Sequence, residues 1–247
     1  MSDDRESVVA TYDLYLESGP KRRKTMVHVI ALAGCVATGP TTDEALAATP
    51  EAIRQFLRFL ARHGEPVDPI ALFETRVAEH VTEGEWLGNG SPSVVYPPDL
   101  EPISDEEIAL MLRRVEWICG ELAGWAETRS DVQLDAAPVG KGRTAGAILL
   151  HVLGAQGGSV SAALGGSKGF HALHGAAERG EVAIPEALRR SAALLAERVW
   201  AAPPEERRST VPRSSRNYTL RKALRRTAEH AWEHLAELAR RPDGPAL

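Results

Sequence analysis

The sequence predicts an α+β protein built from two units, a small β-β-α-β unit followed by an all-α four-helix bundle. Three observations carry that reading. Alternating apolar residues give way to helical spacing near residue 100, and a Gly/Pro-rich seam, Gly88-Asn-Gly-Ser-Pro-Ser-Val-Val-Tyr-Pro-Pro-Asp-Leu-Glu-Pro-Ile-Ser, separates the two patterns. The charge balance changes at the same place. Residues 1–100 hold 15 acidic and 9 basic side chains, a net of -6, and residues 101–247 hold 19 and 20, a net of +1, which together give the formal -5 of the chain. The boundary falls at about residue 102, so the expected domains are 1–100 and 101–247.

In the first unit, Val8-Val-Ala-Thr-Tyr-Asp-Leu-Tyr-Leu and Thr25-Met-Val-His-Val-Ile-Ala-Leu are rich in β-branched, aromatic and aliphatic residues and partly alternate. Ser18-Gly-Pro-Lys-Arg-Arg-Lys between them reads as a basic hairpin loop joining antiparallel strands. Thr41, followed three residues later by Glu44, is a capping-box pattern. Ala45, Leu46, Ala48, Ile53, Phe56, Leu57 and Leu60 then supply the apolar face of one helix, interrupted or kinked near Pro50 and ending before Gly64. Phe73-Glu-Thr-Arg-Val-Ala-Glu-His-Val reads as a third strand, which gives a small sheet with a helix on one face.

The second unit shows four helical stretches and no strand signal. Ser104 caps the first, which runs to about Thr128; the second spans Thr144 to Leu164, the third Pro185 to Ala202, and Thr219 caps the fourth, ending near Arg241. That inventory is a four-helix bundle. Two of its loops, one from Gly165 through His174 and one from Ala202 to Arg213, are longer than a minimal bundle requires, and such loops often line sites.

Composition sets limits on function. An apolar content of 43% over 247 residues fills real cores and argues against disorder or fibre. The net negative charge supplies no global field for nucleic acid, so nucleic-acid binding is not expected. Cys35 and Cys119 lie far apart without Cys-x-x-Cys spacing, which fits free, buried thiols in a reducing interior. The start, Met1-Ser-Asp-Asp-Arg-Glu, lacks the basic flank and apolar core of a signal peptide, and no apolar run approaches the ~20 residues of a membrane span. The expected setting is cytoplasmic, away from the membrane.

The strongest chemical feature is Ala228-Glu-His-Ala-Trp-Glu-His-Leu, in which His230 and His234 share one helical face at a separation that lets two imidazoles meet one divalent ion. Both continue the stripe Leu220, Leu224, Thr227, His230, Ala231, His234, Leu238, and so are expected to point into the bundle. His151 lies on the second helix in the stripe Thr144, Ile148, His151, Ala155, Gly158, Ala162, where small residues let another helix come close. Three histidines on two helices make a facial ligand set with positions left for water or substrate. The competing account has them hydrogen-bonded to side chains or water. The pattern is not His-Glu-x-x-His, so no glutamate base stands as in the zincin metalloproteases. Glu229 and Glu233 point about 100° away from the histidines on the helix and are expected to be solvated or paired with arginines.

Two family resemblances add to this reading. Gly142-Arg-Thr-Ala-Gly-Ala-Ile-Leu-Leu-His-Val and the segment from Thr219 to Leu235 make residues 103 to 241 resemble the DinB/YfiT-like superfamily. That resemblance implies a four-helix bundle with a three-histidine divalent-metal site, one histidine on the second helix and a His-x-x-x-His pair on the last. His151, His230 and His234 fall on those places. It also implies, as a cosubstrate in some members, a low-molecular-weight thiol such as mycothiol or bacillithiol; a three-histidine shell suits Zn, Ni and Fe alike, and Zn or Ni is the expected metal. The stretch from Met26 to Ile53, with its Ala-Gly-Cys turn and Gly-Pro-Thr-Thr-Asp-Glu-Ala helix start, resembles the HicB antitoxin core, a degraded ribonuclease-H-like fold. HicB proteins commonly add a small DNA-binding segment, whereas this chain continues into the bundle. Asp13 stands nearly alone in the first strand, so ribonuclease chemistry on two metals is not expected.

Other residues are weaker candidates. His171 and His174 in a Gly-rich stretch, and Arg216 and Arg221 in a basic tract with Arg213, Arg225 and Arg226, are candidates for binding substrate. Trp117, Trp125, Trp200 and Trp232 are expected to fill the core or wall a pocket. The leading function is a divalent-metal protein of unassigned reaction, with metal-assisted hydrolase or thiol transferase and isomerase chemistry open to it. The alternative is a non-catalytic interaction or ligand-sensing module, with a small toxin-like protein or a second copy of the chain as partner. A DNA-associated regulator ranks last, because no recognition helix is apparent.

Overall fold

The computed structural model describes residues 9–213 and 216–247, the side chains of Arg22 and Arg213 excepted; Val8, the expected start of the first strand, lies outside them. The protein is α+β, and the chain divides into two compact units at Asn89 and Gly90. The division falls upstream of the expected seam near residue 102, because residues 90–103 are hydrogen-bonded to the second unit through Lys222, Thr219 and Arg221.

The first unit is a four-stranded sheet carrying one long helix. Strands β1 (Ala10–Ser18), β2 (Arg23–His28), β3 (Val36–Thr41) and β4 (Phe73–Val81) lie in the order β3-β2-β1-β4, with helix α1 (Thr42–Arg62) between β3 and β4 in sequence. β2 runs antiparallel to β1 and β3, and β4 runs parallel to β1, pairing Asp13 with Arg76. The Arg76 guanidinium closes on Asp13 at 2.7 Å, so that lone aspartate is spent on a cross-strand ion pair. β3 was not expected. Its Gly39-Pro40 sequence reads as a turn, but an edge strand tolerates a proline, and β3 is an edge. The segment after His28 turns at Ile30–Leu32 instead of extending β2.

Thr41 ends β3 and caps α1: its hydroxyl accepts from the Glu44 amide at 3.3 Å and donates to the Glu44 carboxylate at 2.7 Å. The helix is continuous through Pro50, which is exposed, so its ring meets solvent while Ala45, Ile53, Phe56, Leu57 and Leu60 bury the opposite face against β2 and β3. This join of strand to helix requires Gly39. A Cβ there would lie 2.4 Å from the Ala45 amide nitrogen, and backbone cannot swing aside as a side chain can. Gly39→Ala is therefore expected to destabilise the first unit by about 1–3 kcal/mol, read as a lower midpoint for its transition in calorimetry.

In the second unit, α2 (Asp105–Glu127), α3 (Asp131–Asp135), α4 (Ala145–Leu164), α5 (Lys168–Glu178), α6 (Ile184–Ala201), α7 (Pro204–Arg207) and α8 (Leu220–Ala239) are joined by a hairpin of β5 (Thr210–Arg213) and β6 (Arg216–Thr219). The four long helices match the expected stretches and pack in a ring, α2 on α6, α6 on α4, α4 on α8 and α8 on α2. Ser104 caps α2 through a capping box with Glu107, and Ile108, Val115, Ile118, Leu122, Ile148, Val152, Leu188, Leu195, Leu224 and Leu235 fill the interior. A buried polar contact ties three of the helices: Gln156 on α4 bonds to Cys119 on α2 and to Ser191 on α6. Burial pushes the Cys119 thiol up to about 12, so it is unreactive at neutral pH.

The hairpin corrects the expectation of an all-α unit. Its strands have four residues each, one contains Pro212, and pairing with each other supplies an order that their own sequence does not signal. The short helix α5 lies where a loop was expected. Phe170 presses so closely on Gly157 that a Cβ there would sit 2.4 Å from the ring, so the close approach to α4 is made here and not along the stripe through Gly158. By length and composition helix α4 is apolar enough to cross a membrane, a test that core helices also pass, and 44% of that stretch is buried in the protein.

Candidate metal centre

Helices α4 and α8 pack side by side, and capping fixes where each begins. Thr144 accepts from the Ala147 amide at 3.1 Å, and Thr219 accepts from the Lys222 amide at 3.2 Å while donating to the Asp99 carbonyl at 2.7 Å. From these starts, His151 faces His230 and His234 across the helix pair. The three residues each offer one ligand atom, all within 4.8 Å of one another. His151 Nε2 and His230 Nε2 are 3.0 Å apart. Ring centroids are separated by 4.8 Å for His151 and His230, 5.0 Å for His151 and His234, and 4.7 Å for His230 and His234.

The donor set suits a divalent ion. Imidazole nitrogens bound to one ion at roughly 2.0–2.1 Å lie about 3.0–3.4 Å from one another. The closest pair already has that spacing, and side-chain rotation can bring in the third nitrogen. His234 Nδ1 donates to Glu237 Oε2 at 2.7 Å, a pairing that leaves Nε2 with a free lone pair. Hydrogen bonding to His234 holds the Glu237 carboxyl below the usual carboxylate range, and Arg143, 3.6 Å away, adds to the effect.

The triad is graded in exposure: His234 is buried, His230 half-buried and His151 exposed. Apart from the buried Ile148, the stripe through His151 thus lies at the rim of α4, whose inward face is formed by Ile148 with Leu149, Val152, Leu153 and Gln156. Burial, then His234 and Arg226, push His230 down to about 2, and burial followed by His234 and Arg143 lowers His151. Both are neutral at pH 7, the form in which an imidazole is a ligand.

Behind the triad, α8 carries a buried ionic network. Arg225 lies between Asp99 and Glu229, 2.8 Å from each, and Arg226 reaches Glu229 at 2.6 Å. Burial alone would push the Arg225 guanidinium down, but Glu229 and Asp99 more than offset it and hold the group charged. Glu229 is therefore paired with arginines, as one expectation had it, and fully buried instead of solvated.

The other candidate residues lie elsewhere. Arg221 is committed to Glu107 at 2.7 Å and to the Glu101 and Pro102 carbonyls at 3.1 and 2.6 Å. It stands nine residues from His230, or roughly 13 Å along the helix. Arg216 lies on β6; the Arg213 side chain lies outside the described residues. His171 is exposed on α5, while His174 packs on Gly154 and faces Glu178 at 3.7 Å, so neither joins the triad. Trp232 fills the core, Trp200 is exposed beneath Arg207, and Trp125 walls a cleft of about 510 Å³ together with Arg129, Lys141, Glu237, Arg240 and Arg241.

Sequence reasoning did not single out Glu237 or Asp99. Glu237 follows His234 by three residues, a spacing that allows contact on a helix, whereas Asp99 is separated from Arg225 by 126 positions and leaves no local signal. Asp99→Ala is expected to cost about 3–5 kcal/mol, because it leaves a buried guanidinium half-paired; urea denaturation of the variant checks this. Comparison with protein-family models, curated proteins and solved structures found no match, so the chemistry of this chain rests on the geometry of these residues.

Proposed function

We propose that the second unit is a three-histidine divalent-metal centre of the DinB/YfiT-like kind, with metal-assisted hydrolase or low-molecular-weight-thiol transferase or isomerase chemistry. The observation that carries the reading is the convergence of His151, His230 and His234 from two helices, with every offered ligand atom within 4.8 Å of the others. Zn or Ni suits this imidazole set. When bound, such an ion supplies Lewis acidity that lowers the pKa of water or of a thiol toward neutral.

The chain's own residues then have distinct tasks. His230 and His234 hold the inner side, and His151 closes the outer side next to solvent. Glu237 fixes the His234 ring by taking its Nδ1 proton in a hydrogen bond, and its second oxygen remains available to accept a proton at the edge of the cleft. Arg143 keeps Glu237 ionised.

A second reading concerns the first unit as a HicB-like protein-interaction module. The observation favouring it is β4, an edge strand whose residues from Glu74 to Ala78 are exposed and which offers backbone groups for strand addition by a toxin-like partner or a second copy.

Zinc titration of metal-free protein, followed by calorimetry and elemental analysis, tests the metal centre. The expected outcome is about one ion per chain, loss of at least tenfold in affinity for each of His151→Ala, His230→Ala and His234→Ala, and a loss of about 10–100-fold for Glu237→Gln. Equal, weak binding by the wild type and all variants would reject the centre. Zinc should also raise the thermal midpoint of the wild type and not of the histidine variants.

A further inference from the structure

We infer that the cleft beside the triad is a recognition site for small organic anions, taking a carboxylate attached to an apolar body. This rests on the metal-centre reading for its catalytic meaning, since the cleft reaches the triad through Glu237, but the binding itself needs no metal.

Size and lining give the first argument. The cleft holds about 510 Å³, which is the size of a metabolite and far more than a water shell around one ion requires. It is formed entirely within the second unit, between the end of α2, the segment from Ala136 to Gly142 and the end of α8. Trp125, Pro138, Val139 and Ala145 offer it apolar surface.

Charge gives the second. Four cationic side chains, Arg129, Lys141, Arg240 and Arg241, line the cleft against the carboxylates of Glu237 and Asp243, and Glu237 is already engaged by His234 and Arg143. The hydrogen bonds of two of these arginines go to backbone carbonyls. Arg129 donates to the Asp243 carbonyl at 2.6 Å and lies over the Trp125 ring at 5.5 Å, while Arg241 donates to the Arg143 carbonyl at 2.8 Å. These carbonyls hold the two guanidiniums in place without supplying a countercharge, and Glu237 lies within the field of Arg241 alone of the two. Arg129 Nε is moreover buried without any hydrogen-bond partner among the described residues, so the protein does not saturate this guanidinium. The Trp125 indole, pinned by its own bond to the Asp243 carbonyl at 2.9 Å, presents a fixed apolar wall beside it.

The test uses benzoate as the probe and benzamide as its uncharged isostere, with binding to the full chain followed by calorimetry in metal-free and zinc-loaded protein. Benzoate should bind saturably and benzamide at least about tenfold more weakly, since only the former gains a charged pair. Arg129→Gln should lower benzoate affinity about tenfold while leaving zinc affinity unchanged. Lys141→Gln removes an exposed charge without disturbing packing and should lower it by a smaller factor, which protects the test should Arg129→Gln fold poorly. Arg189→Gln, an exposed ion pair with Glu127 outside the cleft, should have no effect. Equal binding of benzoate and benzamide, no saturable benzoate binding, or indifference to both cleft variants would overturn the inference. Benzoate binding by a chain that takes up no zinc would leave the anion site standing and the metal centre fallen; zinc uptake without benzoate binding would do the reverse.

Discussion

The chemistry of this chain depends on one packing decision, that α4 lies directly against α8. His151 stands 79 positions from His230, and only the contact of these two helices brings their imidazoles to 3.0 Å. Small residues on α4 make room for its neighbours: Gly154 meets His174 and Gly157 meets Phe170, so α5 closes over one side while α8 takes another. The ring of four long helices then holds the pair in register, since each helix is gripped by two others.

The buried ion network gives α8 a fixed orientation about its own axis. Arg225 cannot leave the interior without stripping Asp99 and Glu229 of their partner, and Asp99 is itself tied to the cap of α8 through Thr219 and to the Tyr96 amide. Because Arg225, Glu229, His230 and His234 ride on one rigid helix, holding the first two fixes the orientation of the last two. Buried ion pairs contribute little net stability compared with an apolar core, but they penalise every alternative rotation of the helix that would leave a charge unpaired. The segment before α2 is therefore part of the bundle that the site requires, which explains why the second unit begins at Gly90 and not at Ser104.

The cleft shows how a charge can be kept in readiness. The Asp243 carbonyl at the turn after α8 orients both Arg129 and the Trp125 indole, and the Arg143 carbonyl before α4 orients Arg241. Glu237 joins this surface to the histidines, since it lines the cleft and bonds to His234.

The sequence by itself determined the long elements and the candidate ligands. Capping residues at Thr41, Ser104, Thr144 and Thr219 and the apolar spacing behind them locate α1, α2, α4 and α8, because caps and periodicity act within a few residues along the chain. The His230 and His234 pair was legible for the same reason. Elements whose order comes from a neighbour were not: β3 exists because β2 offers an edge, the β5–β6 hairpin because two weak strands meet, and α5 because α4 presents glycine to Phe170. Tertiary structure alone decided that His151 stands at the rim, that Arg221 serves Glu107, and that Arg129 shares a cleft with Glu237. Side chains far apart in sequence interact through space, and their partners are chosen by which helix faces which, a quantity that local spacing does not encode.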